Sequence, residues 1–106
     1  MFARNVSFRL KSGRSTEFSQ VLEKNILPLL RTQKGFQDEI ALVAPSGDEA
    51  IGISLWDTRE NADTYARESY ARVLETLQPM IQGEARVQTY EVANSTFHKI
   101  AGHATA

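Results

Sequence analysis

The amino-acid sequence predicts an α+β domain built in the order strand, helix, strand, strand, helix, strand. Three observations carry that expectation. Apolar and polar residues alternate near both ends of the chain, apolar residues recur at helical spacing in two internal stretches, and Pro45-Ser46-Gly47-Asp48 divides the middle into a hairpin. The 106 residues provide for one hydrophobic core, since a second needs roughly another 50. Residues 1–98 are read as that domain and 99–106 as a flexible tail.

Phe2 to Leu10 reads as strand one, with Phe2, Val6, Phe8 and Leu10 on one face and Asn5, Ser7 and Arg9 on the other. After the turn Lys11-Ser12-Gly13, Ser12 or Ser15 can cap a helix whose apolar stripe is Phe18, Val21, Leu22, Ile26 and Leu29. Pro28 removes one backbone donor and should kink that helix near its end, turning Leu27 and Leu30 off the stripe; Gly35 stops it. Phe36 to Ala44 and Ala50 to Trp56 form the hairpin strands around a turn whose Pro presets φ and whose Gly permits φ > 0. Asp57, three residues before Glu60, opens a second helix carrying Ala62, Ala66, Val73 and Leu77 on one face and Tyr65, Tyr70 and Leu74 on its flanks. It should end near Pro79. Ala85 to Phe97 then alternates for long enough to make a last strand that outruns its own sheet.

Composition excludes several function classes. The 12 basic and 13 acidic residues are scattered and give a net charge of -1, so no basic stripe exists to follow a nucleic-acid backbone. The absence of cysteine excludes disulfides, iron-sulfur clusters, thiolate zinc and cysteine nucleophiles, and suggests the cytoplasm. No apolar run approaches the ~20 residues of a membrane span, and Met1-Phe2-Ala3-Arg4 begins a strand pattern rather than a signal peptide. There is no Ser-His-Asp set, phosphate-cradling glycine loop or carboxylate cluster at metal-ligand spacing.

One four-stranded antiparallel sheet with both helices on one face, the ferredoxin-like βαββαβ arrangement, satisfies this order. The other face would then lie bare, and Ile51, Ile53 and Leu55 argue for a homodimer that covers it. The strand ending in Lys11-Ser12-Gly13, Pro28 before Leu29-Leu30, Gly35-Phe36, and Trp56-Asp57 leading into an acidic helix with Ala and Tyr together resemble the dimeric α/β barrel superfamily. Over Phe2 to about Phe97 the chain most closely resembles antibiotic biosynthesis monooxygenase-like domains. The resemblance implies two sheets packed face to face, with a cleft between sheet and helices in each subunit. If Ile51, Ile53 and Leu55 face the partner, then Gly52, Ser54 and Trp56 face the helices and border a cavity, with Tyr65, Tyr70, Phe18 and Leu22 lining the rest.

The resemblance implies a cofactor-independent monooxygenase of a small aromatic or polyketide-like phenol, in which the deprotonated substrate itself passes an electron to oxygen. The alternative is a non-catalytic dimer that binds or sequesters a small apolar molecule. Relatives that oxidise polycyclic phenols tend to carry an amide four residues before the tryptophan, and Gly52 stands there instead. Haem-degrading relatives need a histidine on the second helix; the two histidines here are His98 and His103, so no haem is expected. His98 could reach a partner's cleft as a base or merely fix strand exchange. Trp56, Tyr65 and Tyr70 also suit plain core packing, and Asn25 suits satisfying carbonyls freed by Pro28.

Overall fold

The computed structural model describes residues 1–97. The expectations for His98, His103 and the tail 99–106 lie outside the described residues. Strand β1 is Phe2–Leu10, β2 Phe36–Val43, β3 Glu49–Trp56 and β4 Ile81–Glu91. They form one antiparallel sheet in the order β2-β3-β1-β4, the ferredoxin-like topology. The first helical stretch comprises α1 (Ser15–Val21), a π-turn (Leu22–Ile26) and α2 (Leu27–Arg31). The second comprises α3 (Arg59–Glu68), α4 (Tyr70–Leu77) and a 3-10 turn (Gln78–Met80). No helix among the described residues is long and apolar enough to cross a membrane.

The π-turn is the structural response to Pro28. Proline has no N–H to give to the carbonyl four residues back, and the turn ahead of it widens to i→i+5 bonding. Phe18, Leu22, Ile26 and Leu30 follow at strict four-residue intervals, a spacing that drifts by about 40° per step around an α-helix of 3.6 residues per turn. The wider turn takes up that drift. Leu30 therefore points into the core and Leu29 is only half-buried, the reverse of the sequence expectation. Asn25 is exposed.

The caps also differ from expectation. Neither Ser12 nor Ser15 caps α1, whose start is marked by an Arg14–Glu17 pair at 2.6 Å. Thr58, not Asp57, caps α3, its Oγ1 accepting from the Asn61 N–H, while Asp57 accepts from the Asn61 side chain. Asp57 and Asn61 sit against Gly35, where φ is +83° and a Cβ would overlap them. That close approach is why glycine ends the first helical stretch.

The second helix breaks at Ser69, whose hydroxyl donates to Gln33 Oε1 at 3.1 Å. In an unbroken helix residues five apart point well away from each other. The break instead brings the Tyr65 and Tyr70 rings to 6.3 Å. Strand β4 begins and ends earlier than the expected Ala85 to Phe97. Glu91 pairs with Phe2 and the Val92 N–H bonds the Met1 carbonyl, where the described pairing of β4 with β1 ends. The strand does not outrun its sheet.

The core lies between sheet and helices. Phe8 meets Phe18 edge-on at 5.5 Å, and Leu10, Leu77, Met80 and Ile81 close one end. On the other sheet face Ile40, Leu42 and Tyr90 are exposed and Ile51, Ile53 and Leu55 half-buried. The parity expected for β3 holds, with Ala50, Gly52, Ser54 and Trp56 on the helix side.

Candidate functional site

Residues that pair across an antiparallel sheet project from the same face. The register aligns Arg4 of β1, Ser54 of β3 and Glu39 of β2 in one row under the helices. Arg4 reaches that face because it shares the parity of Phe2, Val6 and Phe8. Glu39 reaches it because the pairing of β2 slips between Phe36 and Asp38, a bulge that exchanges the faces of the residues beyond it. Without the bulge, Ile40 would point inward.

Above this row lies a cavity of about 50 Å³. It is lined by six of the seven residues expected to border it: Gly52, Ser54, Tyr65, Tyr70, Phe18 and Leu22. Trp56 is the exception. Its indole is fully buried, stacks on Tyr65 at 4.8 Å, meets Phe36 edge-on at 5.6 Å, and is separated from the cavity by the Tyr65 ring. The expectation that Trp56 forms the wall is corrected: it packs between Phe36 and Tyr65, behind that wall. Its Nε1–H donates to Ser54 Oγ at 2.9 Å, which fixes the serine oxygen and leaves the hydroxyl proton free to be donated.

Two charged groups complete the site, and neither was expected. Arg4 is only 6% exposed. Its guanidinium lies 4.7 Å from the Tyr70 ring centre and 5.5 Å from that of Tyr65. No carboxylate among the described residues is within ion-pair range, and Arg4 Nε and the Tyr70 hydroxyl have no hydrogen-bond partner there. A desolvated cation–π contact is worth about 2 kcal/mol, whereas a buried unpaired charge costs several kcal/mol. The two rings therefore do not fully offset the burial, and the head group favours an oxygen acceptor arriving beside it.

Glu39 lines the cavity from the β2 side, its Oε2 3.4 Å from where a Cβ on Gly52 would stand. Burial, and then the neighbouring Asp38, push its carboxyl up to about 7. Burial likewise raises Tyr65 to about 12, opposed by Arg4 and aided by Tyr70 and Glu39, and raises Tyr70 against the pull of Arg4. Near neutral pH both tyrosines are thus uncharged donors, while Glu39 can either accept or give a proton.

Glu39 also borders a second, outer hollow of about 350 Å³, shared with Arg31 and Leu27 of α2 and with Phe36 and Asp38. The inner cavity alone is far below the ~300 Å³ at which small-molecule pockets begin. Glu39 is the residue common to the linings of the two spaces. A third hollow, of about 590 Å³, opens on the opposite sheet face around Ser7, Leu42, Ile51 and Arg86. It is larger, but it is not lined by Tyr65, Tyr70, Arg4 or Glu39. No cluster of metal-binding side chains occurs among the described residues.

No family model matches the chain, and no curated protein matches it. Solved structures do. A protein of unknown function from Nitrosomonas europaea superposes with a TM-score of 0.73 at 14% identity, over 90% of this chain and 91% of that one. A monooxygenase from the ActVA-Orf6 gene of Streptomyces coelicolor, in complex with Nanaomycin D, gives 0.74 at 14% over 89% and 88%. A second Nitrosomonas europaea structure, which carries the provisional name antibiotic biosynthesis monooxygenase, gives 0.69 at 15% over 86% and 97%. At these identities the shared property is the fold, which is that of antibiotic biosynthesis monooxygenase-like domains.

Proposed function

We propose that the chain is a cofactor-independent monooxygenase that binds a small aromatic or polyketide-like phenol between its sheet and helices. The observation that carries this proposal is the cavity bordered by Tyr65, Tyr70 and Ser54, with ionisable Glu39 on one side and the buried cation of Arg4 against its aromatic wall. A flat ring finds apolar walls there and its oxygen finds donors. The named activity of the Streptomyces coelicolor neighbour supports this assignment. Ser54, Gly52, Tyr65, Tyr70, Phe18 and Leu22 are proposed as the binding residues, with Trp56 packed behind Tyr65.

The test uses the single tryptophan. Added naphthol or anthrone is expected to quench the fluorescence of Trp56, which lies one ring away from the cavity, and oxygen uptake should accompany binding. Binding without uptake favours a sequestering role for the compounds tried. Absence of both removes the site assignment.

The functional unit in this proposal is a cytoplasmic homodimer, since the outer sheet face exposes Ile40, Leu42 and Tyr90 around Ile51, Ile53 and Leu55. Light scattering should give twice the chain mass at micromolar concentration. Ile53→Asp, which would bury a charge against the partner, is expected to halve that mass or unfold the protein. A wild-type protein that runs as a stable monomer contradicts the dimer.

A further inference from the structure

We propose that Glu39 is the proton acceptor of the cleft, and that its ligand is an aromatic or cyclic ketone whose C–H or O–H proton it removes to leave an oxyanion beside Ser54. The proposal rests on the cleft being the aromatic-binding site and adds the step that activates the bound molecule.

Position is the first argument. Glu39 borders both the inner cavity and the outer hollow, so a molecule passing from one to the other passes its carboxylate. Gly52 supplies the second. Its backbone is not in a conformation that demands glycine, and the atom nearest to a Cβ there is Glu39 Oε2 at 3.4 Å. The missing side chain on β3 therefore makes the room into which the neighbouring strand places a carboxylate. Where the sequence shows no polar group at position 52, the fold brings one from position 39.

The surroundings of Glu39 suit a base. No cation among the described residues is within 4.0 Å of it. The ionisable groups around it are Asp38 beside it on β2, Tyr65 from α3, Tyr70 from α4, Arg31 from α2 across the outer hollow, and Arg4 from β1 two strands away. Burial and Asp38 bring its carboxyl to about 7, so it is ready to accept a proton near neutral pH.

The proton transfer balances without any other reactant. For an anthrone-type ligand, the C–H bond breaks, the proton goes to a Glu39 carboxylate oxygen, and the electron pair delocalises onto the ligand carbonyl oxygen. Ser54, its oxygen held by Trp56 Nε1–H and its position directly across from Glu39 in the register, donates to that oxygen. Arg4, on the other side of Ser54, supplies the positive charge.

Deuterium exchange of the anthrone methylene, followed by NMR in anaerobic D2O, reads this step apart from any oxygen chemistry. Wild-type protein is expected to accelerate exchange, with a rate that rises through a single ionisation near pH 7. Glu39→Gln should lose on the order of a hundredfold or more, the usual contribution of a positioned base, and its residual rate should be flat with pH. The same variant should still quench Trp56 fluorescence with anthrone to within about threefold of wild-type affinity, which also shows that it is folded. Exchange in Glu39→Gln that matches wild type in rate and pH profile overturns the proposal, as does wild-type binding without exchange; in both cases the aromatic-binding cleft stands. If anthrone does not bind the wild-type protein, the cleft assignment and this proposal fall together.

Discussion

Trp56→Ala is expected to destabilise the fold by about 3 to 5 kcal/mol, the range for removing a large buried aromatic. For a domain of this size that lowers the melting temperature by something on the order of 15 °C. The indole is fully buried and joins three elements, stacking on Tyr65 of α3, abutting Phe36 of β2 and bonding Ser54 within β3. Its neighbours are themselves large rings and close over the space only in part, so a cavity term adds to the lost transfer energy. Trp56→Phe keeps most of the volume and loses the N–H, so its cost should be smaller, while Ser54 is freed to rotate. Because Tyr65 stands between the indole and the cavity, the Phe variant should still bind ligand, with binding followed by absorbance since the fluorophore is gone. Thermal and urea melts check both variants. A loss below about 1 kcal/mol for Trp56→Ala would show that the aromatic stack is not what holds α3 to the sheet.

The fold was legible in the sequence because it is written in periodicity. Strand β1 was read to the residue, and the turn at Pro45 to Asp48 announced the hairpin. The β3 alternation separated Ile51, Ile53 and Leu55 from Gly52, Ser54 and Trp56, and it was the resemblance to dimeric α/β barrels that put the serine and glycine under the helices, where they lie. What escaped was local irregularity. The bulge after Phe36 has no residue signature, yet it alone decides that Glu39 points into the cleft. The break at Ser69 lies in a stretch whose apolar spacing reads as one helix, yet it brings the two tyrosines together. Arg4 could have been found, since it stands in the inward row of β1 between Phe2 and Val6. A charge at such a position is a conflict between pattern and residue, and conflicts of that kind gather at functional sites. Trp56 was placed on the correct face but one layer too shallow, because parity gives direction and not depth.

Gly52→Leu is expected to abolish ligand binding while leaving the protein folded. At this position φ lies outside the left-handed region, so a side chain meets no backbone strain. The first carbon reaches only the flexible end of Glu39, and the rest of a leucine fills an inner cavity of about 50 Å³ and drives the carboxylate out toward the outer hollow. Overpacking of this kind costs about 1 to 3 kcal/mol, a loss that the open outer hollow should hold to the lower end. The outer sheet face is untouched, because residue 52 points to the helices while Ile51 and Ile53 point away. Gly52→Ala adds only the carbon that Glu39 can make way for, and it should bind ligand with a modest loss. The expected order is therefore full quenching of Trp56 by anthrone in wild type, weakened quenching in the alanine variant and none in the leucine variant at concentrations that saturate the wild type. Anaerobic exchange and oxygen uptake should fall in the same order, since both need the ring beside Glu39. Undiminished quenching in a folded Gly52→Leu protein would place the ligand elsewhere, with the outer hollow beside Arg31 and the hollow on the outer sheet face around Leu42, Ile51 and Arg86 as spaces of sufficient size.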